Sequence, residues 1–238
     1  MKRKSLVILA AFGGLVLAPL DASACGWWGE SLGDPVQETV TVPAAGEKTI
    51  DLSTPEGKAR MAHAYLKGDG VPQDPLVARR LMKEAARAGH AGAMNDYAVM
   101  LEKGIGGAED QAQAARWFRA SAEAGNAMAA HSLAVMLFEG RGVARDPKEA
   151  AQFLRQAAEA GHPSAVAELA RRIWAGEVAA SEPHEGCLWS LVAAGLGKEG
   201  GAQACHEHAP DIGQAEMARL QAAATKKLAS ITKEEPRS

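Results

Sequence analysis

Gly140-Arg141-Gly142-Val143-Ala144-Arg145-Asp146-Pro147 opens a segment that runs through Ala150, Phe153, Ala157 and Ala158 to Gly161. Its register returns every 36 residues. Gly68, Gly104, Gly140 and Gly176 share one column, and Gly89, Gly125, Gly161 and Gly197 another. Asp74, Asp110, Asp146 and Glu182 form a third, and Leu81, Trp117, Phe153 and Trp189 a fourth. Ala62, Ala98, Ala134 and Ala170, then Ala86, Ala122, Ala158 and Ala194, complete the pattern. Self-similarity at this period without insertions means stacked supersecondary units.

Each unit reads as two helices. In the second copy Ala93, Tyr97, Ala98 and Leu101 lie on one helical stripe, which Gly104 and Gly106 end. Gln111 to Ala124 forms the second helix, with Ala114, Trp117, Phe118, Ser121 and Ala122 facing inward and Gly125 closing it. Pro75, Pro147 and Pro183 are expected in the first turn of their second helices, with Asp74 and Asp146 as N-caps. Small side chains in the alanine columns let helices approach closely, and the large columns fill the gaps between units. Composition agrees: 238 residues are 47% hydrophobic but only 5% aromatic, which suits close-packed helices. The formal net charge of −3 argues against strong nonspecific attraction to nucleic acid.

Gly140-Arg141-Gly142-Val143 with Asp146, Ala150, Phe153, Ala157, Ala158 and Gly161 resembles the Sel-one-like repeat (SLR) family of tetratricopeptide-like solenoids. Gly68-Asp69-Gly70-Val71 with Asp74 has the same pattern. Copy two departs at Ile105 and Gly107, and copy four at Val178, Ala179 and Glu182. The resemblance spans about residues 54–197. It implies an all-α, right-handed α-solenoid of about four repeats, closed by a C-terminal capping helix. It also implies a protein-interaction scaffold without catalytic residues or cofactors.

The flanks differ in kind. Lys2, Arg3 and Lys4 precede an apolar run from Leu6 to Leu20 and an Ala22-Ser23-Ala24 site, so residues 1–24 read as a cleaved export signal. A periplasmic address follows if the source is a bacterium. The alternative is an uncleaved membrane anchor. Cys25, after a small residue and an apolar run, is also a candidate lipidation site, although Asp21 and Ala22 depart from that pattern. Lipidation is the one expected route to a membrane. Residues 25–53 read as a tether broken by glycine and proline. Val36, Val40 and Val42 allow one short strand with no obvious partner. Trp27 and Trp28 either dock on the helical body or anchor a partner. Residues 198–232 read as a cap. Ala202–Ala209 begins an incomplete fifth unit, and Gly213–Leu228 places Met217, Leu220, Ala224 and Leu228 near one face. Residues 233–238 are expected to fray.

Chemistry-bearing residues are sparse. His184, Glu185, Cys187, Cys205, His206, Glu207 and His208 include zinc-ligand types. The competing reading, a Cys187–Cys205 disulfide, suits neighbouring helices of an exported chain, and it is the reading adopted, with no metal site expected. His90 and His162 recur after the turn glycines, where copy two has Asn126, and read as a structural column. Ser230-Ile231-Thr232-Lys233 matches a Ser-x-x-Lys pattern, but it falls at the expected fraying end with no pocket. A cysteine-rich branch of the resembled family is linked with β-lactam binding, but that branch carries a cysteine pair in each repeat, and this chain lacks them. No phosphate cradle accompanies the glycine pairs.

By the same resemblance, the first helix of each unit lines the concave face. The expected groove carries His63, Leu66, Asn95, Val99, Glu102, His131, Val135, Phe138, Arg171 and Trp174. Phe138 and Trp174 would be apolar anchors for an extended peptide or a helix, unless they merely pack between repeats. The leading expectation is an exported scaffold for a protein or peptide. The alternatives are a lipid-anchored envelope factor and a β-lactam-binding or hydrolytic enzyme.

Overall fold

The computed structural model describes residues 39–42, 48–198 and 200–233. Among them, eight helices form four consecutive hairpins: α1 (Pro55–Lys67) with α2 (Pro75–Arg87), α3 (Ala91–Glu102) with α4 (Gln111–Glu123), α5 (Ala127–Glu139) with α6 (Pro147–Glu159), and α7 (Pro163–Trp174) with α8 (Glu185–Gly195). Each second helix also packs on the first helix of the next pair. Two further helices follow, α9 (Gly201–His208) and α10 (Gln214–Lys233). One apolar core runs through the stack, from Ala59 on α1 to Ile231 on α10.

Capping chemistry repeats with the sequence. The side chains of Asp74, Asp110 and Asp146 accept backbone N–H bonds at the starts of α2, α4 and α6. First helices use their own column, in which Thr54, His90, Asn126 and His162 all cap by side-chain acceptance. The histidines accept at Nδ1, from the Ala93 N–H at 2.9 Å and the Ala165 N–H at 3.2 Å. An imidazole can do this only while that nitrogen is unprotonated. The column suspected to be structural is thus an N-cap column, and Thr54 belongs to it.

The loops between the two helices of a unit explain a second glycine column. Gly106 and Gly142 hold φ near 70° and 67°. A Cβ on Gly106 would collide with the Pro75 carbonyl, and one on Gly142 with the equivalent Gln111 carbonyl. Each loop therefore rests directly on the start of the preceding unit's second helix.

The fourth unit departs at its loop. Pro183, expected in the first turn of the second helix, lies two residues upstream of α8. Glu182 caps nothing, and His184 takes the N-cap position at φ 58° without a side-chain hydrogen bond. Glu185 organises this start instead. It accepts from Arg155, from the Ser181 N–H at 2.5 Å and from the Trp189 indole at 3.0 Å. Arg155–Glu185 repeats, 36 residues on, the Arg119–Glu149 pair between α4 and α6.

Both ends are covered. The strand foreseen near Val40 exists as β1 (Thr39–Val42), and it does have a partner, β2 (Lys48–Asp51). They pair antiparallel with Val40 opposite Ile50. Ile50 is 6% exposed and packs with Met61, Ala64, Leu52 and Tyr65. The segment read as a tether thus carries a hairpin that docks on α1. At the other end α9 packs on α8, as a first helix of a fifth unit would. The last helix, α10, packs principally on α8. Leu220, Ala224 and Ile231 are buried on its inner face. Helix persists through Ser230 to Lys233, beyond the expected point of fraying. The export-signal region, Cys25, Trp27, Trp28 and residues 234–238 lie outside the described residues.

Candidate functional site

The first-helix row divides into paired, buried and open positions. His63 Nε2 lies 3.0 Å from Asp96 Oδ2, linking α1 to α3. Burial pushes the Asp96 carboxyl up, but hydrogen bonds from His63 and Asn95 hold it below the usual range. Asn95 is 3% exposed and donates to Asp96 Oδ1 at 3.1 Å. Glu102 accepts from Arg141 at 2.7 Å, joining α3 to the loop after α5. Leu66, Val99 and Val135 are half-buried.

Phe138 does not present its ring to a groove. It is 6% exposed, and the Arg172 guanidinium sits 3.6 Å over its ring centroid. Arg172 is itself held by Glu168 at 2.7 Å and Glu177 at 2.5 Å. Phe138 and Asn95 are therefore interior residues of this face.

His131 stacks on His162 with centroids 4.9 Å apart. Burial lowers both imidazoles below their ordinary value. Arg172 adds to this at His131, where Glu168 opposes it, and His131 and Lys198 add to it at His162.

The row stays open at its C-terminal end. Trp174 is half-buried, its ring lies flat on His208 at 4.9 Å, and its N–H donates to Ser190 Oγ at 3.2 Å. Arg171 beside it is exposed and pairs with Glu168 at 2.7 Å. The stacked rings separate two clefts. One, of about 420 Å³, lies between α7, α8 and α9, with Arg171, Trp174, Ala193, Lys198 and Ala204 in its walls. The other, of about 430 Å³, is walled by Ile173, His184, Asp211 and Ile212.

The far wall of both clefts is held by the Cys187–Cys205 disulfide, whose Cα atoms are 4.7 Å apart. Both cysteines are fully buried beside Leu220. The bond ties α8 to α9 and consumes the thiolates that a zinc site would need. Among the described residues no group of three or more His, Cys, Asp or Glu gathers as a metal site. Ser230 Oγ donates to the Lys227 carbonyl on an exposed stretch of α10, far in character from a nucleophile.

Sequence reasoning has Arg171 and Trp174 only as members of a groove along the first helices; it does not foresee this cleft, Lys198, Ser190 or the stacking of His208. The repeat columns carried the signal. Leu66, Glu102 and Phe138 precede Trp174 in its column, and Ala78, Ala114 and Ala150 precede Gly186 in the facing one. Where three units pack Met82, Phe118 and Leu154, the fourth has Ser190. Two side chains shrink on α8 where one grows on α7.

Helix pairs stacked at a 36-residue period define a tetratricopeptide-like α-solenoid. The Sel1 repeat family matches residues 55–90, 91–126 and 127–162, so these three segments are Sel1 repeats and the fold is the SLR fold. The fourth pair, α7 with α8, lies beyond the matched segments. A Sel1 repeat protein from Oxalobacter formigenes is similar in structure, with a TM-score of 0.61 and 27% identity over 73% of each chain. A protective antigen of uropathogenic Escherichia coli strains displaying an SLR fold is similar at TM-score 0.61 and 27% identity. That match covers 74% of this chain and 38% of the antigen. No curated protein sequence matches the chain.

Proposed function

We propose that this chain is an exported binding scaffold that holds a protein or peptide partner on its first-helix face. Sel1 repeat proteins are in general interaction scaffolds without enzymatic activity, and extended solenoid surfaces suit that use. The observation that carries the reading is the contrast along the row. Most of its polar groups are engaged internally, Arg171 with Glu168 and the Trp174 N–H with Ser190 among them, but only Arg171 and Trp174 of the row also wall a cleft closed by a separately anchored helix. Export rests on the Lys2–Lys4 cluster, the apolar run and the Ala22-Ser23-Ala24 site. A disulfide between buried cysteines suits an oxidising compartment. Attachment through Cys25 remains the second reading, supported by the apolar run that precedes that cysteine.

The test uses protein purified from its native cell. Its intact mass is expected to match residues 25–238, with an acyl increment only if Cys25 anchors it. A co-purifying protein is expected to be lost in Arg171→Glu at unchanged melting temperature. A chain that retains Met1 to Ala24 contradicts cleavage of the signal, and a partner indifferent to first-helix substitutions contradicts the face.

A further inference from the structure

The cleft between α7, α8 and α9 is a local rebuilding of the repeat. Gly186 stands where the earlier units have Ala78, Ala114 and Ala150. A Cβ on Gly186 would stand 2.8 Å from the Trp174 ring, so the glycine is what admits the indole. Ser190 stands where the others have Met82, Phe118 and Leu154, and it takes the indole N–H. Ser190 in turn donates to the Gly186 carbonyl at 2.8 Å, which fixes its hydroxyl. Gly201 brings α9 onto α8 where a Cβ would collide with the Ser190 carbonyl. The indole is thus clamped between α8 and His208, with one edge left to the cleft.

Among the described residues the charged side chains of the lining are the cations Arg171 and Lys198, with His208 beside them and no carboxylate in the wall itself. Arg171 spends Nε and Nη2 on Glu168. Gly200 and Gly201, at the start of α9, line the same mouth, and no side chain caps that helix. The remaining wall is apolar: Ala167, Ala170, Ala193, Ala204 and the Trp174 ring. An apolar floor of this size with cations at its rim suits one or two side chains of a short segment, not a polyanion track.

We propose that this cleft recognises an acidic peptide segment of a partner protein, with an apolar side chain against Trp174 and a neighbouring carboxylate between Arg171 and Lys198. The proposal rests on the scaffold reading and gives the partner its chemistry.

The test is to pan a random heptapeptide library on the full, disulfide-intact chain and to titrate the enriched peptides by fluorescence anisotropy. Enriched peptides are expected to pair Asp or Glu with a neighbouring Leu, Ile or Phe. Lys198→Glu and Arg171→Glu are each expected to weaken them about tenfold or more at unchanged melting temperature. Val99→Arg, further along the face, is expected to leave them bound. Peptides without acidic residues, peptides indifferent to Lys198→Glu, or no enrichment at all would overturn the proposal. Peptides that fail only with Val99→Arg overturn it while leaving the first-helix face as the binding surface, so the two readings fail separately.

Discussion

Phe138 and Trp174 sit one repeat apart in a single column, yet they have different fates. Phe138 shares the core with Ala150 and the full-sized Leu154, which hold the corresponding columns of its partner helix, and is sealed by Arg172. Trp174 meets Gly186 and Ser190 and keeps one edge open. Reading one helix alone predicts two exposed anchors, whereas reading both columns together separates the core ring from the cleft ring. Phe138→Ala is accordingly expected to cost about 3–5 kcal/mol in chemical denaturation, as for other buried aromatics. Loss of partner binding with unchanged stability would put Phe138 back on the surface. The histidine columns carry a similar lesson. Their spacing was plain, but their use as N-caps needed the Nδ1 geometry, and Thr54 and Asn126 in the same column were the clue.

At the scale of elements, eight repeat helices followed from periodicity because each stripe and each glycine stop recurs in register. Strand β2 did not, since Lys48–Asp51 is four residues with one apolar side chain facing the body. The start of α8 was misplaced because Pro183 imitates Pro75 and Pro147, while Glu185 does the organising. The disulfide was legible from residue type, compartment and expected helix adjacency. It closes a loop with a sequence separation of 18, and opening it as Cys187→Ala with Cys205→Ala is expected to cost about 2–4 kcal/mol. Hydrogen exchange should show the gain in mobility centred on α9 and on the edge of α8 that faces it. A double variant that melts like the parent, with α9 still protected, would mean that packing alone holds the cleft wall.

The whole molecule has a predictable response to acid. Burial, the largest cause, holds the pKa of His131 and of His162 below the ordinary imidazole value in the folded chain. Below the ordinary imidazole value of 6.5 the unfolded chain therefore takes up protons that the folded chain resists, and stability falls with pH. Protonation at Nδ1 would also remove the cap of α7. A second loss follows at lower pH. Glu149, Glu168 and Glu185, each hydrogen-bonded to arginine, have carboxyls held below their ordinary 4.5, so stability drains as they protonate. Melting temperature is expected to drop between pH 7.5 and 5.5. His162→Asn, which copies the cap of Asn126, should flatten that drop without lowering the plateau at pH 7.5. An equal drop in the variant would assign the acid response elsewhere.

A solenoid gives its whole length two faces, and the functional account depends on which one a partner meets. The most direct measurement is site-specific photo-crosslinking in native cells, with a photoreactive residue placed in turn at Val99, Val135 and Ala167 on first helices and at Arg116 and Gln152 on second helices. The account predicts one protein crosslinked from the first-helix positions, most strongly at Ala167 beside the cleft, and none from Arg116 or Gln152. Crosslinks confined to the second-helix positions, or equal from both faces, would contradict it.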